Sequence, residues 1–199
     1  PEIRRSDLAD IVLQMVLMGI PDIHSFDFID PPDHYAFENA FETLRILGAI
    51  NYKEHLTDLG YKMAYLPLDP RISRMLIAAE KYDVVVQTAV IASFLSVKDP
   101  FMRPLGEEDE ADKAQDYFQR LGMPSGKKIM RGRFFNAYSA NSSYFSDLLT
   151  YLAIWKKVFL IEHEEERKQY CLSHYINFQT LEEIKAIYLQ LVDTLAQFG

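Results

Sequence analysis

The chain has 199 residues, 49% of them apolar, enough to build a sizeable core and to argue against general disorder. Its 21 basic side chains face 29 acidic ones, a net charge of −8, which argues against a protein that coats polyanions but leaves room for a local basic groove. Cys171 is the only cysteine, so there is no intramolecular disulfide and no cysteine zinc cluster, as suits a reducing compartment.

The chain enters on "PEIRRSDL", with no signal peptide, and reads as a fragment of something longer. Residues 7–18 place Leu8, Ile11, Val12, Met15 and Val16 on one helical face, with Ser6 as cap and Gly19 and Pro21 as stop. "FDFIDPPD" is a stiff extended crossing that ends in Asp33, a cap for the next helix. That helix runs from about Tyr35 to Leu47, turns Phe37, Ala40, Phe41, Leu44 and Leu47 inward, and closes on Gly48. Ala49-Ile50 and Leu56-Thr57 are short strands around the polar turn Asn51 to His55. Helix, helix, small hairpin, helix describes a winged helix.

The stretch "LTDLGYKMAYLPLDPRISRML" then sets two helices end to end. Thr57 caps the first and Pro67 ends it; Asp69 caps the second, with Pro70 at its first position. From there the pattern is helical. Ile72, Met75, Leu76 and Ala79 form one stripe, and the apolar run Val84–Leu95 is a buried helix too short to span a bilayer. An acidic segment from Gly106 leads into a helix using Ala111, Ala114, Phe118 and Leu121. Residues 122–145 are the least regular part. A helix starts near Ser146 with Leu148, Leu149, Leu152, Trp155 and Phe159. The last helix opens on the capping box Thr180-x-x-Glu183 and carries Leu181, Ile184, Tyr188, Leu191 and Leu195.

Most chemistry is refused by these residues. There is no phosphate-binding glycine loop. None of the five histidines stands four residues from another, and "HEEER" lacks the second histidine of a zinc-protease helix. Ser146-Asp147 is a helix start without the glycines of a nucleophile elbow, and Cys171 lies among apolar neighbours as a core residue. One segment stands apart. "SGKKIMRGRFFNAYSANSSYF" gathers Lys127, Lys128, Arg131 and Arg133 just ahead of Phe134, Phe135, Tyr138, Tyr144 and Phe145. Cations that track phosphates beside rings that stack on bases suit single-stranded nucleic acid. The other use of such a segment is a long surface loop whose rings pack back onto the helices.

Together these pieces resemble the region after the motor domains of DEAH/RHA-type ATP-dependent RNA helicases, with a bacterial HrpA-like parent preferred. The resemblance rests on "PEIRRSDLADIVLQM", "FDFIDPP", "LGAI", "LTDLGYKMAYLPLDPRISRML", "SFLSVKDPFMRP" and "SDLLTYLAIW", in order along nearly the whole chain. It implies a mainly α fold, with a winged helix over residues 1–66 and a helical helicase-associated, ratchet-like domain over 67–199. It implies a non-catalytic part that closes a single-stranded RNA channel against two RecA-like motor domains and couples their movement to 3′-to-5′ translocation in the cytoplasm. ATP and magnesium would belong to the parent's motor domains, with none in this fragment. The implied partners are single-stranded RNA, bound weakly by the fragment alone, the motor domains and a protein activator, with no membrane.

Ser146 and Asp147 match the family's channel-facing helix start. Arg71 and Arg74 follow the corner; Arg71 either binds a neighbouring carboxylate or helix end, or lines the strand path. The chain departs from the family where relatives commonly carry Asn-Phe after the cysteine and an arginine beyond. It has His174-Tyr175 and Gln179 there, so RNA contacts are not carried over to those positions. The rival reading is a protein-docking module without RNA contact. Asp22, Asp27, Asp30, Asp33, Glu38 and Glu42 give the winged helix an acidic character suited to basic partners.

Overall fold

Helix-end chemistry acting on amphipathic runs shapes the first part of the chain. The structure, a computed structural model, describes residues 5–29, 31–122 and 146–198. Helix α1 (Arg5–Leu17) already includes Arg5, so Ser6 lies within it rather than capping it. It stops at Gly19, whose φ of 71° lets the chain fold back so that the amide of Ile20 reaches the carbonyl of Met15 at 3.2 Å. Asp33 caps α2 (His34–Leu47) by accepting from the amide of Tyr35, and Gly48 ends it in the left-handed region.

The wing has the expected register, with Asn51 N–H to His55 O at 2.9 Å and Thr57 N–H to Ala49 O at 3.0 Å. It amounts to one antiparallel bridge, Ile50 with Leu56, rather than two strands. The Asn51 carboxamide accepts from the amides of Lys53 and His55, which closes the turn tightly. Helix α3 (Asp58–Tyr65) begins straight after Thr57, so little chain is left for a ladder.

The corner follows. The Thr57 hydroxyl accepts from Gly60 N–H at 2.9 Å and donates to Gly48 O at 2.6 Å, tying the start of α3 to the end of α2. Leu66 and Leu68 are buried on either side of exposed Pro67. Asp69 accepts from the amide of Arg71 at 2.8 Å, and buried Pro70 opens α4 (Pro70–Ala78). The buried hydroxyl of Ser73 donates to Leu68 O at 3.3 Å. A 3-10 turn (Ala79–Tyr82) leads to α5 (Val85–Leu95), whose entry is more open than its composition suggests: Val84, just before the helix, and Val86, in its first turn, are exposed.

The remaining helices are α6 (Glu108–Gly122), α7 (Asp147–Val158), α8 (Glu164–Ser173) and α9 (Phe178–Ala196). Three differ from expectation. The buried face of α7 is Thr150, Ile154 and Val158, whereas Leu148 and Leu149 are exposed. Helix α8 was not legible, having one buried residue, Cys171, in an acidic run. Helix α9 starts at Phe178, and the Asn177 side chain accepts from the amide of Thr180, so the cap lies three residues before the expected Thr180.

By packing, the chain forms two units, Pro1–Ala92 with Ile187–Gly199, and Ser93–Ala186. The first holds two apolar clusters. One joins α1, α2, the wing and α3 through Leu8, Val12, Phe37, Phe41, Ile50 and Met63. The other joins Leu66, Leu68, Leu76, Ala89 and Ala92 to Leu191. The second unit buries Phe94, Phe118, Ile154, Cys171, Leu181 and Ile184 and holds an isolated bridge between Phe101 and Ile176. The described residues are mainly helical, and none of their helices is long and apolar enough to cross a membrane.

Candidate nucleic-acid interface

Of the eight contact residues read from the sequence, four fall within the described residues. Lys127, Lys128, Arg131 and Arg133 lie outside them, as do the aromatic residues that follow. Arg71 and Arg74 share α4 in the first unit; Ser146 and Asp147 open α7 in the second.

Arg71 and Arg74 differ in what they touch. Arg74 Nε donates to Leu47 O at 3.2 Å, placing a cation on the carbonyl end of α2, where the helix dipole favours positive charge. The helix-end role considered for Arg71 is thus filled by Arg74. The Arg71 side chain is exposed and makes no ion pair or hydrogen bond among the described residues, so its fork of donors is open to an incoming acceptor.

Ser146 gives its carbonyl to the amides of Leu149 and Thr150, both at 3.0 Å, and to the hydroxyl of Thr150 at 3.2 Å. Its own side chain makes no capping hydrogen bond. Asp147 is exposed in the first turn, where a carboxylate is favoured by the helix dipole. An ionised carboxylate only accepts hydrogen bonds and repels phosphate, so Asp147 suits a ribose hydroxyl or a base amine.

The positions that depart from the family pattern are used internally. The His174 ring stacks on Tyr170 with centroids 4.1 Å apart, and its Nδ1 lies 2.8 Å from Tyr170 O. Tyr175, at a φ of 53°, donates its hydroxyl to Glu107 at 2.7 Å. Hydrogen bonding to Glu107 is the main reason its phenol is held well above the usual range. The flanking backbone is fixed by Met102 N–H to Tyr175 O at 2.7 Å and Asn177 N–H to Pro100 O at 2.8 Å. Burial pushes the Cys171 thiol up to about 11, in keeping with a core residue. No group of three or more His, Cys, Asp or Glu among the described residues could hold a metal ion.

Sequence reasoning missed two supports. A Cβ on Gly60 would lie 1.9 Å from Ala49 O, so α3 lies directly against the wing backbone. A lone glycine inside a helical pattern was the available signal. Buried Ser73 gave none, because serine is common on exposed faces.

The family follows from two matches that meet at the corner. The winged-helix model of the helicase associated domain (HA2) matches residues 40–68, and its ratchet-like model matches residues 69–151. The chain belongs to the helicase-associated (HA2) family. The HA2 chain is 30% identical over its whole length to ATP-dependent RNA helicase HrpA of Escherichia coli, spanning 14% of that protein. It is 29% identical, again over its whole length, to the HrpA homolog of Haemophilus influenzae, of which it also spans 14%. Over 96% of its length it is 32% identical to the probable ATP-dependent RNA helicase DHR1 of Saccharomyces cerevisiae, spanning 16% of it. Bacterial and yeast relatives therefore match to the same extent. The junction of the two HA2 models falls between Leu68, anchored in the core, and Asp69, the cap of α4.

Proposed function

We propose that this HA2 chain is the non-catalytic C-terminal part of an ATP-dependent DEAH-box RNA helicase acting in the cytoplasm. A winged helix, residues 1–66, and a ratchet-like domain, residues 67–199, close a single-stranded RNA channel against the RecA-like motor domains. They pass motor movement to the strand, 3′ to 5′. ATP and magnesium belong to those motor domains. The observation that carries this reading is the adjoining pair of HA2 matches in a chain that aligns over its whole length with a part of RNA helicases.

The corner supports it physically. Buried Leu66 and Leu68, the Asp69 cap and the Ser73 hydroxyl hold α4 in place, so a push at this junction is transmitted rather than absorbed. Titration of the chain with a fluorescent single-stranded RNA tests the reading. Binding is expected to be weak and to fall with salt, at about 0.7 logarithmic units per phosphate neutralised for each tenfold rise in salt. Replacing Lys127, Lys128, Arg131 and Arg133 with alanine is expected to weaken binding and flatten that slope. Unchanged binding removes the basic segment from the strand path, and ATP turnover by the chain above background overturns the non-catalytic assignment.

One observation favours the second reading, a docking module. Asp22, Asp27, Asp33, Glu38 and Glu42 belong to the winged helix, and the only dense cationic cluster, at 127–133, lies elsewhere in the sequence. Capture of a basic activator peptide by a chain that ignores RNA would favour it.

A further inference from the structure

His24 stands where three parts of the winged helix meet: the segment after α1 that carries it, α2 and the wing turn. Its ring lies flat on Phe41, centroids 4.6 Å apart and planes 13° apart, and edge-on to Phe37 at 5.7 Å. This packing sets the plane of the imidazole, and each nitrogen then faces a carboxylate. Nε2 is 3.0 Å from Glu54 of the wing turn, and Nδ1 is 3.6 Å from Glu38 of α2. Glu54 sits at a φ of 62°, and its other oxygen accepts from Arg45 at 2.5 Å. Arg45 is itself 3.6 Å from Glu42.

A neutral imidazole has one N–H and one lone pair, so it can serve only one of these carboxylates; an imidazolium serves both. We propose that His24 is a proton-controlled latch for the wing. With its proton, the ring ties Glu38 and Glu54 together across α2 and the turn. Without it, one tie is lost and the turn loosens.

The charged groups that face the ring come from three parts of the chain. Around it stand Glu38, Glu42 and Arg45 from α2, Lys53, Glu54 and His55 from the turn, and Asp22 from the segment after α1. Asp22 is held below the usual carboxylate range by its bonds from Ser25, so it stays ionised while histidine titrates. A cleft of about 390 Å³, lined in part by Ile20, Asp22, His24, Lys53, Glu54 and His55, brings solvent to the ring. The sign is fixed by the extra tie: the latch is closed at low pH and opens as pH rises. The latch works without bound RNA.

The test is an NMR titration of the ring nitrogens in the whole chain between pH of about 5 and 8, with exchange of the wing amides Asn51 and Thr57 followed in parallel. The expected result is protons on both ring nitrogens at the acid end. As one leaves, amide protection, corrected for intrinsic exchange, should step down about two- to five-fold, the size set by one exposed ion pair. His24→Gln is expected to abolish the step, Glu38→Gln to shrink it, and His55→Gln to leave it. A single neutral tautomer throughout the range, a step that survives in His24→Gln, or a step lost in His55→Gln overturns the latch.

Discussion

Gly60 and Cys171 show how much one position can decide. At Gly60 the obstacle to a side chain is backbone: Ala49 O would lie 1.9 Å from an added Cβ, and Ala49 Cα 3.0 Å from it. Neither can swing away as a side-chain tip would. Gly60→Ala is therefore expected to cost at least about 2 kcal/mol, as overpacking does, read as a lower urea midpoint; an unchanged midpoint would contradict the close approach. Cys171 is buried, and its thiol is pushed up to about 11 by that burial. The reactive form is the thiolate, so at neutral to mildly alkaline pH the folded chain holds this sulfur neutral and covered. Labelling with a disulfide reagent is expected to be slow in buffer and fast in denaturant. Labelling at the rate of an open thiol would place Cys171 outside the core.

At the scale of elements, the corner invites the cleanest test. Asp69→Ala removes the acceptor of the Arg71 amide and is expected to cost about 1 kcal/mol, with Asp69→Asn recovering most of it; thermal unfolding of the three proteins reads the difference. Caps of this kind were legible in the sequence because they act within a few residues. Asp33, Gly48, Thr57 and Asp69 all do what their types suggest. The misread elements are those settled by distant parts of the chain. Thr180 and Asn177 are both competent caps, and Asn177 takes the role where its amide pairs with Pro100 O, far away in sequence. The leucines of α7 look like a core stripe, yet tertiary packing buries Thr150, Ile154 and Val158. Helix α8 buries so little that its period left no trace. For the candidate interface, residue types were readable at Arg71 and Arg74, but which one holds the end of α2 depends on a contact 27 residues away.

At the scale of the molecule, the first unit is assembled from both ends of the chain. Leu191 completes the cluster of Leu66, Leu68, Leu76, Ala89 and Ala92, with Ile187, Tyr188 and Leu195 packed around it. Removing residues 187–199 is expected to uncover that cluster, raising the fluorescence of a hydrophobic dye and lowering the cooperativity of unfolding. A shortened chain that unfolds like the whole one would show that α9 adds little there. The same tail also sets an order of events during synthesis. The corner leaves the ribosome long before α9 does, and until then its apolar cluster lacks Leu191 and the neighbours that α9 brings. Contacts so far apart in sequence form slowly and leave sticky surface open meanwhile. The joint is thus sealed only after α9 has emerged, and until then its apolar side chains offer a natural foothold for a chaperone.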